Sequence, residues 1–250
     1  MNTLKNKVAL ITGASRGIGK AIALRYAKLG ADIVVNYNSN SAAAESVVKE
    51  IESYNCKAIA VKADISKPEQ INAMFGLAVS AFGKIDIVVV NAGLELVGIP
   101  VTGFSESQFD NLFNTNTKGA YFTMQAAARH IADKGRILYI GSSTVGFANP
   151  GYAIHGGSKI APMYLVQVMA KELGMRGVTV NAILPTATEG AGIHTVVDAD
   201  SPVRKMIPAF YPMGRMGTPE DVANVAEFFA GELSSFVSGQ QLLVSGGAQA

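Results

Sequence analysis

The sequence predicts an α/β fold: a doubly wound, seven-stranded parallel sheet with helices on both faces. Three observations predict it. Seven short runs rich in Val and Ile alternate with longer amphipathic segments. Most of the short runs are apolar throughout rather than at every second residue, as a strand covered on both faces must be. Strand, helix and strand in repetition call for right-handed crossovers, and so for parallel neighbours.

The elements follow in order. KVALITG at 7–13 opens the sheet and leads into a helix-like segment over 17–29. ADIVVNY at 31–37 precedes a helix over 41–54, and KAIAVKAD at 57–64 one over 68–82. KIDIVVVNAG at 84–93 is followed by a long helix over 107–132, and GRILYIGSS at 135–143 by another over 152–174. VTVNAILP at 178–185, a helix over 218–231 and QQLLVSGG at 240–247 complete the pattern. Thr218 before Pro219 predicts a helix start, a capping hydroxyl ahead of a first-turn proline. No linker, repeat or low-complexity stretch divides residues 1–250, which read as one domain. The irregular stretch is 186–217, TATEGAGIHTVVDADSPVRKMIPAFYPMGRMG. It is far longer than an ordinary connection and reads as a lid over a site.

Composition narrows the function classes. Of 250 residues 49% are hydrophobic and 16% charged, which fits a packed globule and argues against disorder. A net charge of +2 with no basic run argues against a nucleic-acid partner. Cys56 is the single cysteine, so an internal disulfide is impossible, and its place near a strand start reads as a small buried apolar residue. With no signal-peptide pattern and no apolar run of membrane-spanning length, the expectation is a soluble cytoplasmic protein without a membrane partner.

The first strand ends in LITGASRGIG, where Gly13, Gly17 and Gly19 are spaced GxxxGxG. Small residues there let the backbone turn tightly and bring a pyrophosphate to a helix N-terminus. Glycines in a turn are common; their position after the first strand of a doubly wound pattern gives them meaning.

TGASRGIG at 12–19, NAG at 91–93, NTNTKG at 114–119, GSSTVG at 141–146 and SK at 158–159 run in the order and spacing of one family. Across essentially its whole length the chain resembles the short-chain dehydrogenase/reductases. The resemblance implies a single-domain Rossmann fold, a nicotinamide cofactor, a small-molecule carbonyl or alcohol substrate and a homotetramer paired through the helices near 107–132 and 152–174. It assigns the cofactor to Gly13, Ser15, Arg16, Gly17, Ile18 and Gly19 of the glycine loop, and to Ala63, Asp64 and Ile65 after the third strand. Asn91, Ala92 and Gly93, Lys159, and Pro185, Thr186 and Thr188 complete that set. Asp64 resembles the family's adenine-contacting acid, although an aspartate there could equally cap a turn. An acid at the end of the second strand would bind a ribose diol and repel a 2′-phosphate. Here that strand ends in neutral Asn36, Tyr37, Asn38 and Ser39, with Arg16 in reach of the same phosphate, which favours NADP(H).

The family's chemistry uses Asn, Ser, Tyr and Lys. Asn116 matches the asparagine, Ser143 the serine (with Ser142 next in register) and Lys159 the lysine. Four residues before that lysine, where the family has tyrosine, stands His155. Three accounts follow. His155 replaces the phenol as acid/base; the positive charges of Lys159 and an oxidised nicotinamide would then depress its pKa, so carbonyl reduction fades as pH rises while alcohol oxidation is less penalised. Alternatively Tyr152 supplies a hydroxyl from a helix opened early by Asn149-Pro150-Gly151. In the third account the chain binds NADP(H) without turnover and acts as a sensor or interaction protein. Smaller departures are Val90 before NAG and Thr186 in place of the glycine that usually follows Pro185. His130 and His194 show no metal-ligand spacing and read as ordinary helix-end and loop residues.

Leu94 to Val97, Phe147, Ile207, Phe210 and Tyr211 are expected to line the substrate pocket. Their apolar and aromatic character, with no arginine cluster, points to a neutral hydrophobic ketone or secondary alcohol, aryl-substituted ones included.

Overall fold

The computed structural model describes residues 3–195 and 200–248. Its strands are β1 (Val8–Ile11), β2 (Asp32–Tyr37), β3 (Ala58–Lys62), β4 (Ile85–Val90), β5 (Ile131–Ile140), β6 (Thr179–Pro185) and β7 (Gln241–Val244). They form one sheet in the order β3-β2-β1-β4-β5-β6-β7, every pair parallel. The chain winds outward from β1 to β3, returns to place β4 on the other side of β1, and winds outward again. Between β1 and β4 the crossovers leave in opposite directions, which opens a crevice at the C-terminal strand ends.

Alternation along each strand divides the core in two. Leu10, Val34 and Val88 face one way and pack with Met74, Phe75, Met124 and Val166. Ile11, Ile33, Val35 and Val89 face the other way and pack with Ile22, Tyr26, Val47, Ile51 and Phe229. The first layer comes from α3 (Pro68–Phe82), α5 (Ala120–His130) and α6 (Ala153–Glu172); the second comes from α1 (Gly17–Lys28), α2 (Ser41–Glu52) and α8 (Pro219–Ala230). Helices thus cover both faces, as the continuous apolar runs require. Cys56 is buried, its thiol 3.2 Å from the Ala27 carbonyl.

Several boundaries differ from the sequence expectation. The long helix over 107–132 is three pieces: α4 (Glu106–Phe113), a π-helical segment Asn114–Gly119, and α5. The wide turn falls on NTNTKG, where Gly119 passes so close to β3's exit that a Cβ there would stand 2.8 Å from the Ile65 carbonyl oxygen. The helix ends at His130, whose ring stacks on Phe75, and β5 begins at once at Ile131, four residues before Gly135. The helix expected from 152 begins at Ala153, so Pro150 does not open it; Tyr152 is its N-cap. Its end, Glu172, comes two residues early because Gly174–Arg176 tighten into a 3-10 turn. The start of α8 is as expected: Thr218 Oγ1 accepts from the Asp221 N–H, and the Asp221 carboxylate accepts from the Thr218 N–H.

The 186–217 stretch is more ordered than a loop. It contains a 3-10 turn at Gly192–Thr195, a short helix α7 (Pro202–Met206), a second turn at Ile207–Phe210 and a bridge from Thr188 to Gly217. Residues 196–199 of that stretch lie outside the described residues.

Candidate functional site

A cavity of about 1720 Å³ opens at the C-terminal strand ends and runs from the glycine loop to the 186–217 segment. At one end β1 delivers the chain into the loop, where Gly13 (φ +64°) and Gly17 (φ +56°) occupy the left-handed region. A Cβ on Gly19 would lie 2.5 Å from both the Gly13 carbonyl oxygen and Asn91 Nδ2, so only glycine lets α1 start this close to β4. Arg16 caps α1 without a side-chain hydrogen bond, and no acid stands in the first turn. The free N–H groups of that turn are the donor set an anionic pyrophosphate needs. Ser15, Arg16 and Ile18 line the same end.

Below the loop, Thr12 ties the strands together. Its Oγ1 accepts from the N–H groups of Asn91 (2.9 Å) and Ala92 (3.0 Å), while Asn91 Nδ2 donates to the Thr12 carbonyl at 2.8 Å. Thr12 is fully buried; it opens TGASRGIG, but the motif does not show that its hydroxyl joins two strands.

The second strand's polar end divides into two groups. Asn36 is buried: its Oδ1 accepts from Gly13 N–H at 3.0 Å and its Nδ2 reaches the carbonyls of Ala63, Val61 and Tyr37 at 3.1–3.3 Å. All its capacity is spent on backbone, which removes it from any phosphate. Asn38, Ser39 and Arg16 remain exposed at the cavity mouth, beside half-buried Tyr37. Asp64 caps a turn, accepting from the Ser66 N–H at 2.9 Å, and lines the cavity with Ala63 and Ile65.

Toward the cavity centre the π segment buries Asn116. Its Oδ1 accepts from Leu94 N–H (2.8 Å) and its Nδ2 donates to the Leu94 carbonyl (2.8 Å) and to Ser158 Oγ (3.0 Å). Ser158, fully buried, donates its own hydrogen bond to the His155 carbonyl at 2.7 Å. It sits inside the SK pair, and its role became visible only once the two helices were placed together. Lys159 is 6% exposed; its Nζ donates to the Ile140 carbonyl at 3.2 Å and lies 5.5 Å from the centroid of the Tyr139 ring. A Cβ on Gly93 would stand 3.0 Å from that Nζ and 3.1 Å from Asn116 Oδ1, so the glycine of NAG is what lets the ammonium through. Burial lowers the Lys159 pKa to about 8, opposed by the charge of Glu95.

Ser143 opens a 3-10 turn at the end of β5 and faces the cavity. Ser142 Oγ instead accepts from the Thr144 N–H and hydroxyl, at 3.3 and 2.9 Å, which commits it to the turn. His155 stands one turn before Lys159, 5% exposed, and lines the cavity with its Nδ1 buried and without a partner. Its pKa falls to about 4, first through burial, then through the Lys159 charge, with the Leu94 carbonyl pulling the other way. Tyr152 also lines the cavity, its pKa raised by burial, by Glu95 and by Tyr211.

On the far wall, Pro185 ends β6 and Thr186 donates to the Val244 carbonyl from N–H (3.2 Å) and hydroxyl (3.3 Å). Thr188 Oγ1 donates to the Thr186 carbonyl at 2.9 Å, and Ala187 N–H donates to Tyr211 Oη at 3.2 Å. Leu94, Val97, Phe147, Ile207, Phe210 and Tyr211 line this end. Two residues correct the expected apolar character. Glu95 places a carboxylate in the wall, its Oε2 accepting from Ile193 N–H at 2.9 Å. His194, read as an ordinary loop residue, is buried against the cavity with Nδ1 unpartnered and a lowered pKa, chiefly through burial. Neither carried a motif.

A doubly wound sheet whose cavity begins at a glycine loop and a bare helix N-terminus defines the dinucleotide-binding α/β class. Comparison with known proteins narrows it. A family model described as enoyl-(acyl carrier protein) reductase matches residues 13–249. A hydroxynaphthalene reductase-like protein, Arp2, of Metarhizium brunneum is 40% identical, covering 98% of this chain and 96% of its own. The short chain dehydrogenase/reductase AacuN of Aspergillus aculeatus is 39% identical with the same coverage. A short chain dehydrogenase from Burkholderia cenocepacia, solved in complex with NADP, superposes with a TM-score of 0.93 at 34% identity over 99% of this chain and 100% of that one. The chain belongs to the short-chain dehydrogenase/reductase family.

Proposed function

We propose that this chain transfers a hydride between NADP(H) and a neutral hydrophobic ketone or secondary alcohol, aryl-substituted ones included, with His155 as the proton-transfer group. One observation carries the reading: Ser143, His155 and Lys159 line a single cavity whose other end is the glycine loop. Solved relatives in complex with NADP and NADPH support the cofactor, and so do the bare N-terminus of α1 and the uncharged mouth beside Arg16. Bound there, NADP(H) supplies or takes up the hydride.

The protein's own groups do the rest. Lys159 holds a positive charge beside Gly93 and orients ribose hydroxyls; Ser143 donates to the substrate oxygen; Asn116 fixes the Leu94 backbone and, through Ser158, the turn carrying His155. With its pKa near 4, His155 is neutral at pH 7 and takes a proton from an alcohol readily, whereas only about one imidazole in a thousand carries a proton to give. Alcohol oxidation is therefore less penalised than ketone reduction at neutral pH. The 186–217 segment acts as a lid on one catalytic domain spanning 1–250. Exposed Phe109, Phe122, Ile160 and Tyr164 on α4, α5 and α6 support a homotetramer paired through those helices. Among the described residues no helix is long and apolar enough to cross a membrane, and we read the protein as cytoplasmic.

The test is an assay of cofactor oxidation and reduction with wild type, His155→Ala, His155→Tyr and Tyr152→Phe. Loss of turnover confined to His155→Ala supports the assignment. Loss confined to Tyr152→Phe moves the role to the phenol. Binding of NADPH with no turnover across a broad ketone and alcohol panel replaces the enzyme by a cofactor sensor.

A further inference from the structure

Among the described residues of the cavity wall opposite the glycine loop, Glu95 is the one acidic side chain, set among Leu94, Val97, Phe147 and Phe210 and the basic His194 and Arg204. The 94–98 loop carries Glu95 half-buried, and one of its oxygens is fixed: Oε2 accepts from the Ile193 N–H of the lid at 2.9 Å. Gly192 (φ +53°) makes that approach possible, because a Cβ there would stand 1.9 Å from the same oxygen. Among the described residues the hydrogen bond of this carboxylate is made through Oε2, and Glu95 lines the cavity. The carboxylate's charge acts on Tyr152, His194 and Lys159, all of which line the same cavity.

A carboxylate accepts hydrogen bonds and donates none. Held by one oxygen in the cavity wall, it favours a ligand that brings a donor and penalises one that brings a negative charge or a bare acceptor. We infer that Glu95 is a specificity-determining residue: its second oxygen receives a hydroxyl at the end of the substrate remote from the reacting carbon, and its charge keeps anionic ketones out. Through Oε2 the same side chain seats the lid at Gly192 and Ile193, so a substrate hydroxyl and lid closure meet on one group. This rests on the ketone/alcohol reading above, and the test uses equilibrium binding so that the two can fail separately.

Binding of aryl methyl ketones of one ring and two rings is measured by calorimetry on the protein saturated with NADP⁺. Each ketone carries a hydroxyl, a methoxy or a carboxylate at its far end. Wild type is expected to hold the hydroxyl ligand of the better-fitting length about tenfold more tightly than its methyl ether, the range of one charge-assisted hydrogen bond, and the carboxylate more weakly still. Glu95→Ala is expected to abolish the hydroxyl preference. Glu95→Gln keeps a carbonyl oxygen for Ile193 N–H, so it is expected to keep that contact while its NH2 replaces the second acceptor oxygen, relaxing the exclusion of the carboxylate and removing the preference for hydroxyl over methyl ether. Equal hydroxyl preference in wild type and Glu95→Ala, with NADP⁺ affinity and melting temperature unchanged, overturns the assignment. So does undiminished carboxylate exclusion in Glu95→Gln. If these ligands bind with the expected pattern but none is turned over, the specificity assignment stands and the catalytic reading falls.

Discussion

His155 and Lys159 sit one helical turn apart on α6, both buried, and line the same cavity as two bases pushed toward neutrality. Burial acts on both, and the lysine's charge acts further on the imidazole. The same charge would lower the pKa of a phenol in that place too, but from near 10 toward neutrality, whereas it moves the imidazole further below neutrality.

The first prediction concerns direction and pH. With the imidazole pKa near 4, ketone reduction that relies on a His155 proton falls about tenfold for each pH unit above it, while alcohol oxidation stays level through neutrality. Initial rates in both directions between pH 5 and 9 check this. His155→Tyr is expected to recover reduction at neutral pH; a reduction rate in wild type that is flat from pH 5 to 8 excludes His155 as the donor.

The same group makes stability depend on pH. Its pKa is about 4 folded and near 6.5 unfolded, so the unfolded chain binds the extra proton between those values. The contribution is complete above pH 6.5 and is lost as pH falls toward 4, amounting to roughly 3 kcal/mol. Urea midpoints of wild type and His155→Phe across pH 4–8 should converge or cross on acidification, wild type losing more. Parallel curves would count against a buried neutral imidazole.

Arg16 stands exposed at the mouth, whereas Asn36 is committed to backbone. Arg16→Ala is therefore expected to weaken NADPH binding about tenfold and leave NADH binding nearly unchanged, as loss of one charged contact to a phosphate should. Fluorescence titration of both cofactors decides it. An equal loss for both would place the arginine away from the 2′-phosphate.

Ser158 joins the π segment to α6. Removing its hydroxyl in Ser158→Ala leaves Asn116 Nδ2 with one partner fewer and the His155 carbonyl without this donor, a loss of about 1–2 kcal/mol. Chemical denaturation measures it, with Ser158→Thr as the variant that retains the hydroxyl.

At the start of α8, Thr218→Ala removes the hydroxyl that accepts from the Asp221 N–H, and about 1 kcal/mol of stability should go with it. Thr218→Ser should restore most of that. An unchanged midpoint in the alanine variant would mean that the Asp221 carboxylate, held by Arg215 and the Thr218 N–H, fixes the helix start by itself.

What the residues determined without help from the fold was the periodic part. Continuous Val and Ile runs specify strands covered on both faces, and the glycine spacing after the first of them specifies a turn that only small residues can make. Thr218 and Pro219 start their helix by a local hydrogen bond. These signals are short-range, so they survive in the bare chain. Tertiary structure alone decided which polar groups are free. Asn36 reads as a donor for phosphate until β3 and the glycine loop close around it; Ser143 is chosen over Ser142 by resemblance alone until Ser142 is bonded into its turn. Glu95 and His194 carry no motif, and Thr12 and Ser158 stand in motifs that do not show their partners, because the meaning of all four comes from neighbours up to about a hundred residues away, such as Ile193 for Glu95. The His155 pKa belongs to the same category. The sequence names the imidazole and the lysine, but desolvation, the larger cause of the shift, exists only once the chain has packed around them.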